Sequence, residues 1–174
     1  VYGGMPPALA AVATVLFCAV LALFPALAGW LYRRLGRGSV WRRSLLAAAC
    51  WTLAEWLRGW VFTGFPWLSL GHAQAPPSPL AGFAPVLGAY GLSFLVALAG
   101  AWLGLTWRHG ARILWAGASV ALLCGVGLAL GSIRWTQPVG APLRVSLLQG
   151  NIEQSLKWRP ELLQRSLDVY LDLA

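Results

Sequence analysis

The stretch ALAAVATVLFCAVLALFPALAGWLY, residues 8–32, runs for 25 residues without a charged side chain. About 20 apolar residues are enough for an α-helix to cross the hydrocarbon core of a bilayer, so this stretch predicts a membrane span. Three further stretches are long and apolar enough for the same prediction: 44–62, 86–107 and 113–133. None of the four shows the two-residue alternation of barrel strands. The sequence therefore predicts an α-helical polytopic membrane protein with four spans.

The composition of the chain agrees with a membrane protein. Of 174 residues, 59% are hydrophobic and 10% are charged, whereas a soluble domain carries about 25% charged residues. The thirteen Lys and Arg against five Asp and Glu would suggest a nucleic-acid partner in a soluble protein. However, nine of the basic residues and only one acid lie before residue 136, and the remainder is balanced. Because the excess charge lies in the apolar part, it reflects membrane topology, and we expect no nucleic-acid partner.

The connections between the spans predict their orientation. Five arginines lie in 33–43 and two in 108–112, while the long connection 63–85 has neither Lys nor Arg. The positive-inside rule places the two basic connections in the cytoplasm, and loop 63–85 and the C-terminal tail outside. Residue 1 then lies outside as well, and no signal-peptide pattern opens the chain. We therefore expect an internal fragment of a longer protein, with spans upstream.

The division between membrane part and tail falls at residue 135. In the tail, 136–174, the segment LRVSLL (143–148) alternates as a strand would. Pro160 and Glu161 suit the first turn of a helix running to about Ala174, with a stripe formed by Leu163, Leu167 and Leu171. Strand, loop and helix open an α/β unit, and 39 residues are too few to bury a core of their own. The tail is predicted to be a truncated α/β domain.

Glu55 and Arg58 form the one ionisable pair within a predicted span. Three residues apart, they share a helix face, and a charge inside a membrane is functional by default. The favoured interpretation is a structural ion pair near the outer interface that joins two helices. The alternative is the working pair of a transporter, although we find no internal repeat of the kind that transporters show.

Loop 63–85 is apolar although it is predicted to face water. It places Phe65 and Trp67 among prolines and glycines, and His72 is its one imidazole. Non-helical backbone at a membrane surface needs its polar groups satisfied by protein or water. The loop therefore suits a lipid-contacting lid or a support packed under a soluble domain, and His72 suits a structural role.

We find no catalytic or metal-binding constellation in the sequence. The cysteines Cys18, Cys50 and Cys124 lie in apolar runs, where thiols are inert packing residues. There is no metal, phosphate or dinucleotide motif, so we expect neither a metal nor a cofactor. Catalytic groups, if the protein is an enzyme, are expected beyond residue 174.

Two long strings resemble one family, the bacterial apolipoprotein N-acyltransferases. The first runs from Arg58-Gly59 through GFPW (64–67) to Gln74 and continues as SPLAGFAPVLGAYGLSFL (78–95). The second is LRVSLLQGNIEQSLKWRPE (143–161), which looks like the start of that family's nitrilase-like domain.

The resemblance implies a fold, a location and an activity. It implies a multi-pass protein of the bacterial cytoplasmic (inner) membrane with eight spans, here the fourth to seventh, and an extracytoplasmic nitrilase-like domain, whose truncated start is 136–174. It implies that a phospholipid acyl donor acylates an enzyme Cys, and that the thioester then acylates the diacylglyceryl-cysteine of an apolipoprotein. Membrane lipids would surround the spans.

The resemblance also implies where the site residues lie. The family's Glu, Lys and Cys triad falls beyond residue 174, so the fragment is expected to be inactive. Trp158 matches a Trp at the mouth of the active site. Because loop 63–85 is apolar and lies on that side, Trp67 and Phe65 are further candidates for substrate binding. The alternatives are a non-catalytic membrane scaffold or transporter, and a nitrilase-like amidase tethered to the membrane.

Overall fold

The computed structural model describes residues 5–107, 109–153 and 160–173, and its described regular structure is helical. The helices are α1 (Pro7–Leu35), α2 (Val40–Arg58), α3 (Ala84–Thr106), α4 (Arg112–Gly131) and α5 (Leu163–Leu173). The chain divides into two compact units, one of residues 19–137 and one formed by the described residues of 1–18 and 138–174.

Three of the four predicted spans are confirmed as helices long and apolar enough to cross a membrane. They are Pro7–Leu35, Pro79–Thr106 and Arg112–Gly131. Helix α1 begins at Pro7. Proline suits this position because the N–H groups of the first helical turn have no acceptor within the helix, so the N–H that proline lacks costs no hydrogen bond. Arg33 and Arg34 in the last turn of α1 complement the negative end of the helix dipole.

The second predicted span, 44–62, is wrong in its bounds. Helix α2 begins at Val40, where the Ser39 hydroxyl caps it by accepting the N–H of Arg42, and ends at Arg58. Gly59 closes α2 by donating its N–H to the Glu55 and Trp56 carbonyls. The helix thus includes four charged residues and, among the described helices, is not one of the three with membrane-spanning character. The apolar residues after Arg58 belong to the following loop, which hydropathy alone cannot distinguish from helix.

Small side chains allow α2 to pack closely against its neighbours. Ala28 of α1 forms a buried cluster with Cys50 and Ala54 of α2, against which Phe24 and Leu46 pack. The most extensive helix pairing is that of α2 with α3. Near the arginine-rich end, the rings of Trp41 and Trp102 meet edge to face at 5.2 Å. Close approach through small residues is the usual way in which membrane helices associate.

The loop between α2 and α3 contains three short 3-10 helices: Val61–Thr63, His72–Gln74 and Pro79–Phe83. The last continues into α3, which is interrupted at Gly88 (φ +65°), a backbone conformation that favours glycine. The 3-10 helix Pro79–Phe83 packs on α4. A Cβ on Gly82 would lie 1.9 Å from the Gly127 carbonyl oxygen, so the two backbones touch directly.

The predicted strand at 143–148 is wrong for this chain, because the structure shows irregular backbone there. A strand needs a partner to pair its peptide groups, and the described residues provide no second strand. The predicted helix is confirmed, as a 3-10 turn at Pro160–Leu162 followed by α5. Gly150 packs against this helix, since a Cβ there would lie 3.0 Å from the Tyr170 ring. Trp158 lies outside the described residues.

Candidate functional site

The loop between α2 and α3 is the candidate site, and its path begins with a tight reversal after Arg58. Phe62 (φ +54°) and Thr63 (φ +73°) adopt left-handed backbone conformations, as does Gly64. A Cβ on Gly64 would lie 2.1 Å from the Gly59 carbonyl oxygen, so only glycine fits here. The Phe65 N–H then donates to the Arg58 carbonyl oxygen at 2.7 Å. These contacts close the neck of the loop against the end of α2.

Glu55 on α2 connects the middle of the loop to the helices. Its Oε1 atom accepts hydrogen bonds from Trp51 Nε1 at 2.8 Å and from the Leu70 N–H at 2.9 Å. The side chain is only 6% exposed, and Oε2 is buried without a hydrogen-bond partner among the described atoms. The part-buried Leu70 N–H needs an acceptor, and the Glu55 carboxylate of the neighbouring helix supplies it.

The next peptide group of the loop is bonded to a different helix. The Gly71 N–H donates to Ser93 Oγ of α3 at 2.8 Å, and Ser93 is fully buried. A Cβ on Gly71 would lie 2.0 Å from the Ala89 carbonyl oxygen, so the loop backbone lies directly on α3. We call this pair of bonds, from Leu70 to Glu55 and from Gly71 to Ser93, the loop anchor. Two consecutive peptide groups thus bind two different helices.

The predicted pairing of Glu55 with Arg58 is not what the structure shows. Both residues are described, and no salt bridge joins them; the carboxylate instead faces Trp51 and the loop. The part-buried Leu70 N–H takes this carboxylate as its acceptor. Glu55 and Arg58 nevertheless line one cavity of about 120 Å³, together with residues of α1 and with Leu68.

His72 has a partner that the sequence did not reveal. Its Nδ1 lies 2.8 Å from Ser69 Oγ, and its own N–H donates to the same oxygen at 3.3 Å. Ser69 is buried, and its hydroxyl covers the start of the 3-10 helix His72–Gln74. The arrangement is therefore a local side-chain-to-backbone turn, and the structural role predicted for His72 agrees with it.

The candidates Trp67 and Phe65 lie in different surroundings. Trp67 is 67% exposed and its neighbour Leu68 is 88% exposed, the latter with φ +60°. Phe65 is half-buried. We call Trp67 and Leu68 the loop tip. An apolar tip thus projects from the loop two residues before the rigid loop anchor begins.

Sequence reasoning missed Ser93 and Leu70 as parts of the site. The only available signal for Ser93 was a hydroxyl within a charge-free span, and for Leu70 there was none, because its contribution is a peptide N–H. Among the residues that the structure describes, no three His, Cys, Asp or Glu side chains gather in a way that could hold a metal ion.

Comparison with known proteins identifies the family. Residues 1–102 match the model of the apolipoprotein N-acyltransferase N-terminal domain. The apolipoprotein N-acyltransferase of Nitrosomonas europaea is 52% identical over 174 residues, covering 99% of this chain and 34% of the relative. That of Methylococcus capsulatus is 46% identical, with 99% and 34% covered, and that of Chromobacterium violaceum is 47% identical, with 96% and 33% covered. The chain spans about a third of the length of these relatives. It belongs to the apolipoprotein N-acyltransferase family.

Proposed function

We propose that the chain is part of an enzyme that N-acylates the diacylglyceryl-cysteine of apolipoproteins at the bacterial inner membrane. A phospholipid is the acyl donor, and the acyl group passes through a thioester on an enzyme Cys outside these 174 residues. Family membership and the three membrane-capable helices support the proposal. Covalent transfer suits this chemistry, since two lipid substrates need not occupy the site together.

In this proposal α2 is a fourth membrane span, although its charge sets it apart from the other three. Its packing supports this role, because Cys50 and Ala54 contact Ala28 of α1 and α3 packs along another side. Its charged residues Arg42, Arg43 and Arg58 lie at its two ends, where long side chains reach the interface. Glu55, one turn from the end, is bonded to the loop.

Residues 136–174 are, in the same proposal, the start of an extracytoplasmic nitrilase-like domain, with Trp158 at the mouth of its active site. Gly150 and α5 already pack together as the beginning of such a unit would require.

The loop between α2 and α3 forms the lipid-facing entrance to the site. The observation that carries this is the exposed loop tip, Trp67 and Leu68, placed beside a buried anchor at the ends of membrane helices. Burying a large apolar side chain against an acyl chain contributes about 1.5–3 kcal/mol. A tip held in place offers that contact without first having to be ordered.

The experiment is a kinetic comparison of Trp67→Ala and Phe65→Ala in the full-length enzyme with the parent enzyme. We expect the KM for the phospholipid donor to rise by about tenfold or more, with kcat for transfer to the apolipoprotein unchanged. Trp115→Ala is the matched control, because Trp115 of α4 is similarly exposed, at 73%, but lies outside the loop. Unchanged kinetics in both loop variants would contradict the proposal.

The 174-residue chain by itself should transfer no acyl group. In the described part of the chain, the hydroxyl–imidazole pair of Ser69 with His72 serves a local turn, and Ser69 is buried. Purified chain incubated with radiolabelled phospholipid and a diacylglyceryl peptide should give no labelled product. Turnover that is lost in Ser69→Ala would assign a nucleophile within this chain and overturn the proposed location of catalysis.

A further inference from the structure

The turn between α1 and α2 contains a hollow whose lining is almost entirely arginine. Arg34 from the end of α1, Arg37 from the turn and Arg42 from the first turn of α2 surround about 450 Å³, with Leu35 as the fourth member. All three arginines are exposed. Three structural elements therefore direct one cationic side chain each to the same place.

The backbone of the turn accounts for this convergence. The Gly36 N–H donates to the Tyr32 carbonyl oxygen at 2.7 Å and ends α1. Gly38 takes φ +99°, a conformation that favours glycine, and Ser39 then caps α2 through the N–H of Arg42. Arg37 is thereby held between the end of one helix and the beginning of the next. The hydrogen bonds of this capped turn therefore fix the backbone positions from which the three arginines extend.

The positive charge of the hollow is not neutralised by the described part of the protein. No carboxylate precedes Glu55 in the sequence, and no salt bridge to the three arginines occurs among the described residues. Arg43 behaves differently, because its Nε donates to Tyr32 Oη at 3.3 Å and its guanidinium lies 6.0 Å from the Tyr32 ring. The α2 dipole presents its positive end here and the α1 dipole its negative end, so the two oppose each other and the attraction for an anion comes from the arginine side chains.

The position of the hollow relative to the apolar helix selects the ligand. Arg34 is the second residue after the charge-free stretch 8–32, so the hollow lies at the level where a bilayer presents its headgroups. Trp30 and Trp41 near the same turn are both at least half exposed, as aromatic side chains at an interface are. We propose that the hollow binds the phosphate of an anionic phospholipid from the leaflet at this end of α1.

The chemistry of the three side chains suits a lipid phosphodiester. Guanidinium groups hold phosphate oxygens through paired N–H donors, and juxtamembrane basic clusters bind anionic headgroups. Topology alone explains why arginines are frequent in this connection. It does not explain why three of them, from three elements, line one hollow while Arg43 is held against a tyrosine. The inference is independent of acyl transfer and concerns a second lipid site.

The test measures lipid selectivity of the full-length protein in detergent by native mass spectrometry. Phosphatidylglycerol and phosphatidylcholine are titrated separately, since they share acyl chains and differ in headgroup charge. We expect the parent protein to prefer phosphatidylglycerol by about tenfold or more, given the strength of juxtamembrane cations toward anionic lipid. The variant R34Q/R37Q/R42Q should bind the two lipids within about twofold of each other.

Two further variants make the result specific. R33Q/R112Q/R134Q removes the same charge from residues that do not line the hollow, and it should keep the preference. R34K/R37K/R42K keeps the charge but not the forked donors, so its preference should fall between those of the parent and the glutamine variant. This variant also supplies an answer if the glutamine variant does not fold.

Three results would overturn the inference. The first is a parent-like preference in the hollow variants, and the second is an equal loss in the control variant. The third is complete displacement of phosphatidylglycerol by millimolar glycerol phosphate, which would make the hollow a site for soluble phosphate and not for lipid.

Discussion

The Glu55 carboxylate of α2 accepts the peptide N–H of Leu70 at 2.9 Å, across 15 residues of sequence. A buried acid of α2 thus serves the backbone of the adjoining loop, in place of the ion pair with Arg58 that spacing predicts. The acceptor oxygen is what the contact requires, and the negative charge strengthens the bond.

Two substitutions of Glu55 should distinguish the contribution of the acceptor oxygen from that of the negative charge. Glu55→Leu leaves the N–H groups of Leu70 and Trp51 without an acceptor, and we expect a loss of about 1–3 kcal/mol in the free energy of unfolding. Glu55→Gln keeps an acceptor oxygen and should lose less than half as much. Trp51→Phe, which removes one donor but leaves the Leu70 bond, is the control. Equal damage from Leu and Gln in thermal unfolding would show that the charge is what matters.

Removing the Ser93 hydroxyl should loosen the loop at the next residue. In Ser93→Ala the Gly71 N–H loses its acceptor, and we expect amide exchange of the segment 66–75 to accelerate by about tenfold. Hydrogen–deuterium exchange with peptide mass analysis measures this directly. Ser119→Ala is the matched control, since Ser119 bonds only its own helix, at the Trp115 carbonyl oxygen. Unaltered exchange of 66–75 in Ser93→Ala would contradict the loop anchor.

Two glycines of α4 provide a paired test of the packing between this helix and the loop. A Cβ at Gly127 would lie 2.2 Å from the Pro79 carbonyl oxygen, whereas a Cβ at Gly125 would meet nothing within 4 Å. Gly127→Ala should destabilise by about 1–3 kcal/mol through overpacking. Gly125→Ala should be neutral or stabilising by up to about 1 kcal/mol, as alanine is the better helix former. Equal melting temperatures for the two variants would rule out this contact.

The break in α3 offers a second pair. Gly88 has φ +65° and open space around its Cα, while Gly100 is helical with open space as well. Gly88→Ala should cost about 1–3 kcal/mol for placing an L side chain at a φ and ψ that glycine alone adopts readily. Gly100→Ala should be neutral or slightly stabilising. Equal free energies of unfolding for Gly88→Ala and Gly100→Ala in chemical denaturation would show that the break in α3 does not require the positive φ of Gly88.

Much of the helical framework follows from the sequence, because charge-free runs of 20 or more residues leave few alternatives in a membrane. Helices α1, α3 and α4 are predictable in this way. The end of α2 is not, since Trp60, Val61 and Phe62 continue the apolar run while the backbone has already turned. Hydropathy depends on the side chains alone, so it does not indicate where the backbone leaves the helix.

The site is less predictable than the helices for a related reason. The exposed apolar tip at Trp67 follows from composition, whereas the loop anchor uses peptide N–H groups that every residue possesses. The bond from Gly71 to Ser93 spans 22 residues and exists only once α2 and α3 have packed. The prediction of a strand at 143–148 failed because a strand also needs a second segment to pair with. The alternation within one segment indicates only a tendency to form a strand.

The loop between α2 and α3 is fastened at points increasingly distant along the chain, and this orders its assembly. Leu70 finds Glu55 in the helix already made, Gly71 must await Ser93, and Gly82 must await Gly127 of α4. During synthesis from the N-terminus, each attachment therefore becomes available in sequence as the next helix enters the bilayer. A ribosome paused before α4 would leave the loop anchor already formed and the segment at Pro79–Phe83 still unattached.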